Sequence, residues 1–213
     1  MAAVVLGSMI GISLLGREAL PVGLAIGFGA LAWKIYATVQ QRRRLARPLE
    51  VARMRWASLP GARLDARGVI AVHHGAQPLR VALTERRGET MVHIATATRP
   101  SAIALAVWPS TRRRPPLGVD GANFGGPPLE AAPSISAAIG RGLAVEAGDE
   151  DDAARLLDPD IIQPLQIAAE EAPKSFGGLT YDGQRVTVHI CGPMVGDPER
   201  ATWLARQLWE PWV

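Results

Sequence analysis

Residues 179–192 read LTYDGQRVTVHICG. Two strand-like runs, Leu179 to Tyr181 and Arg185 to Cys191, flank Asp182-Gly183, a dipeptide that favours a two-residue hairpin turn. Their β-branched residues suit a pleated, half-buried surface. The stretch therefore reads as a pair of antiparallel strands. Just downstream, Asp197-Pro198-Glu199 opens a helix that carries Trp203, Leu204, Leu208 and Trp209, with a capping aspartate followed by a first-turn proline.

Upstream the same alternation recurs. Val69 to His74, Leu79 to Glu85 and Thr90 to Thr98 are strand-like, and Arg86-Arg87-Gly88-Glu89 joins the last two. This pattern predicts a meander of hairpins. Ile103 to Trp108 and Leu143 to Ala147 are further strands. Carboxylates at 149–152 precede AARLL and suit a helix N-terminus, and Asp158-Pro159-Asp160 begins a second helix through about Glu171. The order of strands, helices, hairpin and helix predicts an α+β fold with a mostly antiparallel sheet. Between strands lies an excursion at 109–142 holding six of the chain's 17 prolines, which reads as a binding loop or an unstructured insert.

The first 39 residues are of another kind. Residues 2–16 carry no charge, and residues 19–39 carry only Lys34. As a helix the second run reaches about 31 Å, enough for a hydrocarbon core, whereas the first reaches only about 24 Å. The expectation is one membrane helix or a helical hairpin over residues 1–39. No basic n-region precedes the apolar run, so a cleaved signal peptide is not expected. Residues 40–60 form a basic, helical connector with six arginines against one glutamate, and residues 61–213 form the domain. Arg42, Arg43, Arg44 and Arg47 place the C-terminal side in the cytoplasm by the positive-inside rule. Trp33 and Tyr36 fall where an interfacial aromatic belt sits. Gly7 with Gly11, and Gly23 with Gly27, have the spacing that lets helices approach closely in lipid. The basic run lacks aromatic interleaving and any binding module, so nucleic acid is not expected as a partner.

Charge is graded along the chain. The formal net charge is +3, yet residues 149–172 hold eight acids against one arginine. The single cysteine, Cys191, excludes an internal disulfide.

The run from Leu143 to Gly192 resembles a recurring domain of uncharacterised bacterial membrane-anchored proteins, in which an Arg-flanked spanning segment precedes a G-D-x-x-x-A-x-x-L-L-x-P-x-x-x-x-x-L element. Gly148, Asp149, Ala153, Leu156, Leu157, Pro159 and Leu165 match it here. The resemblance implies a membrane anchor and a cytoplasmic α+β domain. It implies no activity, because the matched residues are of packing and capping type.

No motif points to chemistry. His73 and His74 are neighbours on a strand and face opposite ways, so they cannot converge on one ion. A composite of these with His93, His189 and Cys191 is conceivable, since His189 and Cys191 share a face. Asp149 to Asp152 lacks calcium-loop spacing, and Gly125-Gly126 and Gly177-Gly178 are not phosphate loops. No catalytic residue, metal or cofactor is therefore expected. Half of the six tryptophans lie in the last eleven residues. Trp209 and Trp212 are expected to bind a partner, with Trp203 packing on the domain's own sheet. The leading expectation is a non-enzymatic accessory or structural subunit of a bacterial inner-membrane assembly, binding lipid and a membrane-protein partner or a second copy. The alternatives are a membrane-tethered sensor with 109–142 as its lid, and an enzyme using His189 with neighbouring carboxylates.

Overall fold

The computed structural model describes residues 20–86, 88–115 and 128–213. The expected pair Gly7 and Gly11, and the whole of the first apolar run at 2–16, lie outside the described residues. Two compact units divide the chain, residues 1–47 and 48–213. The boundary between them falls within the stretch 40–60 that was expected as a connector.

In the first unit the helix α1, Leu20–Ala57, begins. Within this unit its side chains are described over 28–38, where all are exposed. Among the described residues, no helix is long and apolar enough to cross a membrane.

The second unit is α+β around an antiparallel sheet with nine strands among the described residues, in the order β1-β2-β3-β4-β9-β8-β5-β7-β6. The strands are β1 (Arg63–Leu64), β2 (Ile70–His74), β3 (Gln77–Arg86), β4 (Glu89–Ala97), β5 (Leu105–Pro109), β6 (Glu130–Ala131), β7 (Leu143–Ala147), β8 (Phe176–Tyr181) and β9 (Arg185–Cys191). The helices are α2 (Pro133–Ile139), α3 (Glu150–Leu156), α4 (Pro159–Glu171) and α5 (Pro198–Trp209). The expected meander is β2-β3-β4, and the expected hairpin is β8-β9. Its loop is Gly183-Gln184, one residue beyond the Asp182-Gly183 pair. The Asp182 carboxylate instead accepts the Gln184 and Arg185 amides at 2.9 and 2.7 Å, an Asx turn that fixes the reversal.

One face of the sheet collects Val81, Val92, Ile94, Val186, Val188 and Ile190, packed with Leu204 and Leu208 of α5 and Leu165 of α4 into a single apolar core. Strand β2, next to the two-residue edge strand β1, alternates buried and exposed from Ile70 to His73, whereas β8 is buried throughout, as a covered central strand must be. The last turns of α1 join this core. Trp56 is fully buried and donates its indole N–H to the Val195 carbonyl at 3.0 Å, while Arg55 donates to the Gly196 carbonyl at 2.6 Å. Both acceptors lie in the 3-10 turn Gly192–Gly196 that leads into α5.

The element behind the resemblance is capping and packing. The Asp149 carboxylate caps α3 by accepting the Asp152 amide at 2.9 Å, Asp158 caps α4 at Ile161, and Ala153 and Leu165 are buried. The register of β8 shifts between Phe176 and Gly178, and the close approach there requires glycine, since a Cβ at Gly177 would come within 2.9 Å of the His189 carbonyl. Of the 109–142 excursion, residues 116–127 lie outside the described residues, and the described parts are held in place. Arg112 binds Glu89 and the Pro173 and Lys174 carbonyls, Arg114 pairs with Glu146, and residues 130–139 form β6 and α2.

Gly183 has φ +84°, and a Cβ there would collide with the Ser101 carbonyl. Gly183→Ala is expected to destabilise the domain by about 1–3 kcal/mol, combining left-handed strain with that clash. A thermal melt unchanged by the substitution would contradict this account of the turn.

Candidate functional site

Two places in the domain gather chemistry. The first is a row of polar side chains across four strands. His93 on β4 and His189 on β9 are register partners, so both rings leave the sheet on one side, away from the Val and Ile face. Their Nδ1 atoms lie 2.7 Å apart; His93 Nε2 meets the Thr84 hydroxyl at 2.7 Å, and His189 Nε2 meets the Thr180 hydroxyl at 2.9 Å. All four ring nitrogens are engaged. One Nδ1 must donate and the other accept, so the pair holds opposite tautomers when both rings are neutral.

Burial favours exactly that neutral state. Desolvation lowers the His93 pKa from 6.5 to about 4. His189 is pushed well below the ordinary histidine value by its complete burial and then by the charge His93 would carry. A zinc ion sits about 2.0–2.1 Å from each imidazole nitrogen, which sets two tetrahedral ligand atoms more than 3 Å apart. The 2.7 Å Nδ1 separation is a hydrogen bond and leaves no room for an ion between the rings. The composite metal site also fails to assemble, since His73 and His74 lie at the end of β2, two strands from β4, and are exposed. Among the described residues no group of three or more metal-ligating side chains converges.

The suggestion of His189 working with carboxylates is corrected in the same way. Its hydrogen-bond partners are His93 and Thr180, and no solvent reaches it. Cys191 points its thiol at the Ser175 carbonyl, 3.4 Å away, and burial raises its pKa to about 12. It therefore stays a thiol and not a nucleophile.

The second place is a groove at the β2 end of the sheet, between the β2-β3 hairpin and α5. It consists of two adjoining cavities of about 370 Å³ each, which share His74 and Arg206. Leu59, Pro60, Val72 and Leu79 line one of them, and Trp203 stands over it with 58% of its surface exposed. Trp209 forms part of the wall of the other.

This corrects the reading of the terminal tryptophans. Trp209 and Trp212 are 4% and 8% exposed, and the Trp212 ring lies 4.9 Å from the Tyr181 ring, so both anchor the C-terminus to its own domain. Trp203 is the exposed one. Along α5, residues 201, 204, 205 and 208 face the core at helical spacing, and Trp209 and the following 3-10 turn (Glu210–Trp212) fold back over the sheet. Position 203 falls on the opposite side. Helical phase from 201, 204 and 208 was a signal in the sequence that turns Trp203 outward, whereas Trp212 lies beyond the helix and phase does not place it.

The membrane-facing candidates lie in the other unit. Trp33 and Tyr36 are 71% and 56% exposed with ring centroids 6.1 Å apart. Gly23 and Gly27 lie on α1, as do Arg42, Arg43, Arg44 and Arg47, whose side chains are outside the described residues. A Cβ at Gly29 would meet nothing within 4 Å.

No protein-family model and no curated protein matches the chain. Among solved structures, the chain is similar to the crystal structure of the mycobacterial trehalose monomycolate transport factor A at 14% identity, over 75% of this chain and 93% of that one, with a TM-score of 0.41. A superposition that loose carries no argument about this chain.

Two measurements test these assignments. The folded chain keeps His93 neutral down to about pH 4, while the unfolded chain protonates near 6.5. The resulting stabilisation, on the order of 3 kcal/mol for His93, is complete above pH 6.5 and is lost as the pH falls toward 4. Imidazole NMR resonances of His93 and His189 should show no titration between pH 7.5 and about 5; a midpoint near 6.5 for either ring would contradict the buried pair. Trp212→Ala should lower stability by about 3 kcal/mol or more, whereas Trp203→Ala should shift it by less than about 0.5 kcal/mol. Equal melting shifts would reverse the assignment of core and surface.

Proposed function

We propose that the chain is a non-enzymatic accessory or structural subunit of a bacterial inner-membrane assembly, held by its N-terminal helix and binding a protein partner through a cytoplasmic domain. The observation that carries this reading is the surface of α1. Phe28, Leu31, Trp33, Ile35 and Tyr36 are between 47% and 71% exposed. At 100° per residue they cover more than half of the helix circumference, roughly 200°. A helix so widely apolar belongs in lipid or against other helices, not in water. The apolar run from Ala19 to Val39 has the length of a span, Trp33 and Tyr36 suit its interface, and the arginines that follow suit the cytoplasmic leaflet.

Within the domain, the residues best equipped for proton transfer are turned inward and hydrogen-bonded to one another. What the surface offers instead is a groove beside an exposed tryptophan, a feature of the kind that protein interfaces use. Kinship with the membrane-anchored proteins that the 148–165 element resembles belongs to the same proposal, through the Arg-flanked anchor and the capped α3-α4 pair.

Alkaline carbonate should leave the chain in the membrane pellet, and mild detergent should release it in a particle heavier than one 22.7 kDa chain with its detergent. Recovery in the carbonate supernatant would remove the anchor. Release as a lone monomer with no co-purifying chain would remove the subunit.

A further inference from the structure

We propose that the open edge of β2 and the groove beside it dock an extended segment of a partner protein, one that carries apolar side chains two residues apart and a lysine or arginine opposite Glu199. The inference deepens the subunit reading and rests on it only in requiring a protein partner.

The backbone supplies the first argument. His74 and Gln77 flank the two-residue turn Gly75-Ala76, so they form a hydrogen-bonded pair. Alternation then aims Ile70, Val72 and His74 at β3, and Ala71 and His73 outward. The start of β3 agrees: Pro78, which has no N–H, faces β4, and its carbonyl accepts a hydrogen bond from the Thr96 hydroxyl at 3.2 Å. Ala71 meets Arg63 of β1, but β1 pairs only with Ala71 and Ile70. The outward N–H and C=O of His73 have no protein partner among the described residues. An unpaired stretch of edge is a template for an added strand.

The groove supplies the second. The cavity that wraps this edge has Leu59, Pro60, Val72 and Leu79 as its apolar lining, and Trp203 rises beside it. A strand laid along β2 sends every second side chain to one side, about 6.8 Å apart. Apolar side chains at that spacing would enter the groove while the intervening ones stay in solvent.

Charge supplies the third. Arg206 is taken by Glu210 at 3.3 Å, and Arg200 by Asp197 at 3.5 Å. Glu199 lies on the groove rim and has no ion-pair partner among the described residues. The rim therefore presents one uncompensated negative charge, which a cation on the docked segment complements.

The test is a display selection of random short peptides on the detergent-purified full chain, counter-selected on the Trp203→Ala chain, which keeps its core intact. Enriched peptides are expected to alternate apolar and polar residues and to hold a lysine or arginine. They should bind Trp203→Ala at least about tenfold more weakly. Glu199→Lys should shift preference from basic peptides to their acidic counterparts. N-methylation of the peptide amides that face His73, with side chains unchanged, should abolish binding. No enrichment, enrichment of helical or acidic sequences, or indifference to N-methylation would overturn the proposal. So would concentration-dependent self-association lost in Trp203→Ala, which would assign the groove to a second copy. None of these outcomes bears on retention in the membrane pellet, so the anchor and the docking surface fail separately.

Discussion

The antiparallel ladder between β4 and β9 is the joint on which the domain depends. It pairs Met91 through Ala97 with Cys191 through Arg185, and His93 faces His189 across 96 positions of chain. Closing a loop of that length costs about 4 kcal/mol of chain entropy. The ladder offsets this by completing the core, since Val92, Ile94, Val188 and Ile190 are all fully buried there. Without it, the β1-β4 meander and the C-terminal half would be two sheets with exposed edges. With it, α5 packs against β9 and β4, and the 3-10 turn before α5 receives Trp56 and Arg55 from α1.

The two faces of that ladder solve different problems. On the helix-covered face, branched aliphatic residues fill volume. On the other face the side chains are small or polar: Ala82, Ala95, Thr180, Thr187, His93 and His189, all nearly or completely buried. Two imidazoles buried side by side must each find partners for both ring nitrogens. The register achieves this by putting Thr84 and Thr180 at the two ends of the pair, so each ring is neutral and fully bonded. A row of this kind is sensitive to the removal of any member, because a buried nitrogen left alone loses its hydration without replacement.

The groove arises from how the sheet stops. β1 is two residues long, so the last part of β2 is left uncovered, and the turn after α1 and the outer side of α5 become its walls. The surface offered to a partner is thus made of segments far apart in the chain: Leu59 and Pro60, Val72 to His74, and Glu199, Trp203 and Arg206. This is the reason that no contiguous motif announces it.

Local pattern determined much by itself. Period-two alternation marks β2, β3, β4 and β9, capping aspartates at 149, 158 and 197 mark the starts of α3, α4 and α5, and Gly183 marks a reversal. These are interactions among residues within a few positions of one another, so they are legible in order along the chain. The sequence alone also established the apolar run to Val39 and its basic flank. What only the tertiary structure decided was which residues meet across long separations: the pairing of His93 with His189, the return of 130–139 to β7 as a strand and a helix, the register shift between Phe176 and Gly178, and the burial of Trp209 and Trp212 with Trp203 left outside. The sequence pointed to Trp209 and Trp212 as interface residues and to Trp203 as packed on its own sheet, and the structure reverses that order. Their fates differ because burial depends on what lies across from a side chain, and that neighbour is supplied by distant chain, whose register the ladder between β4 and β9 sets.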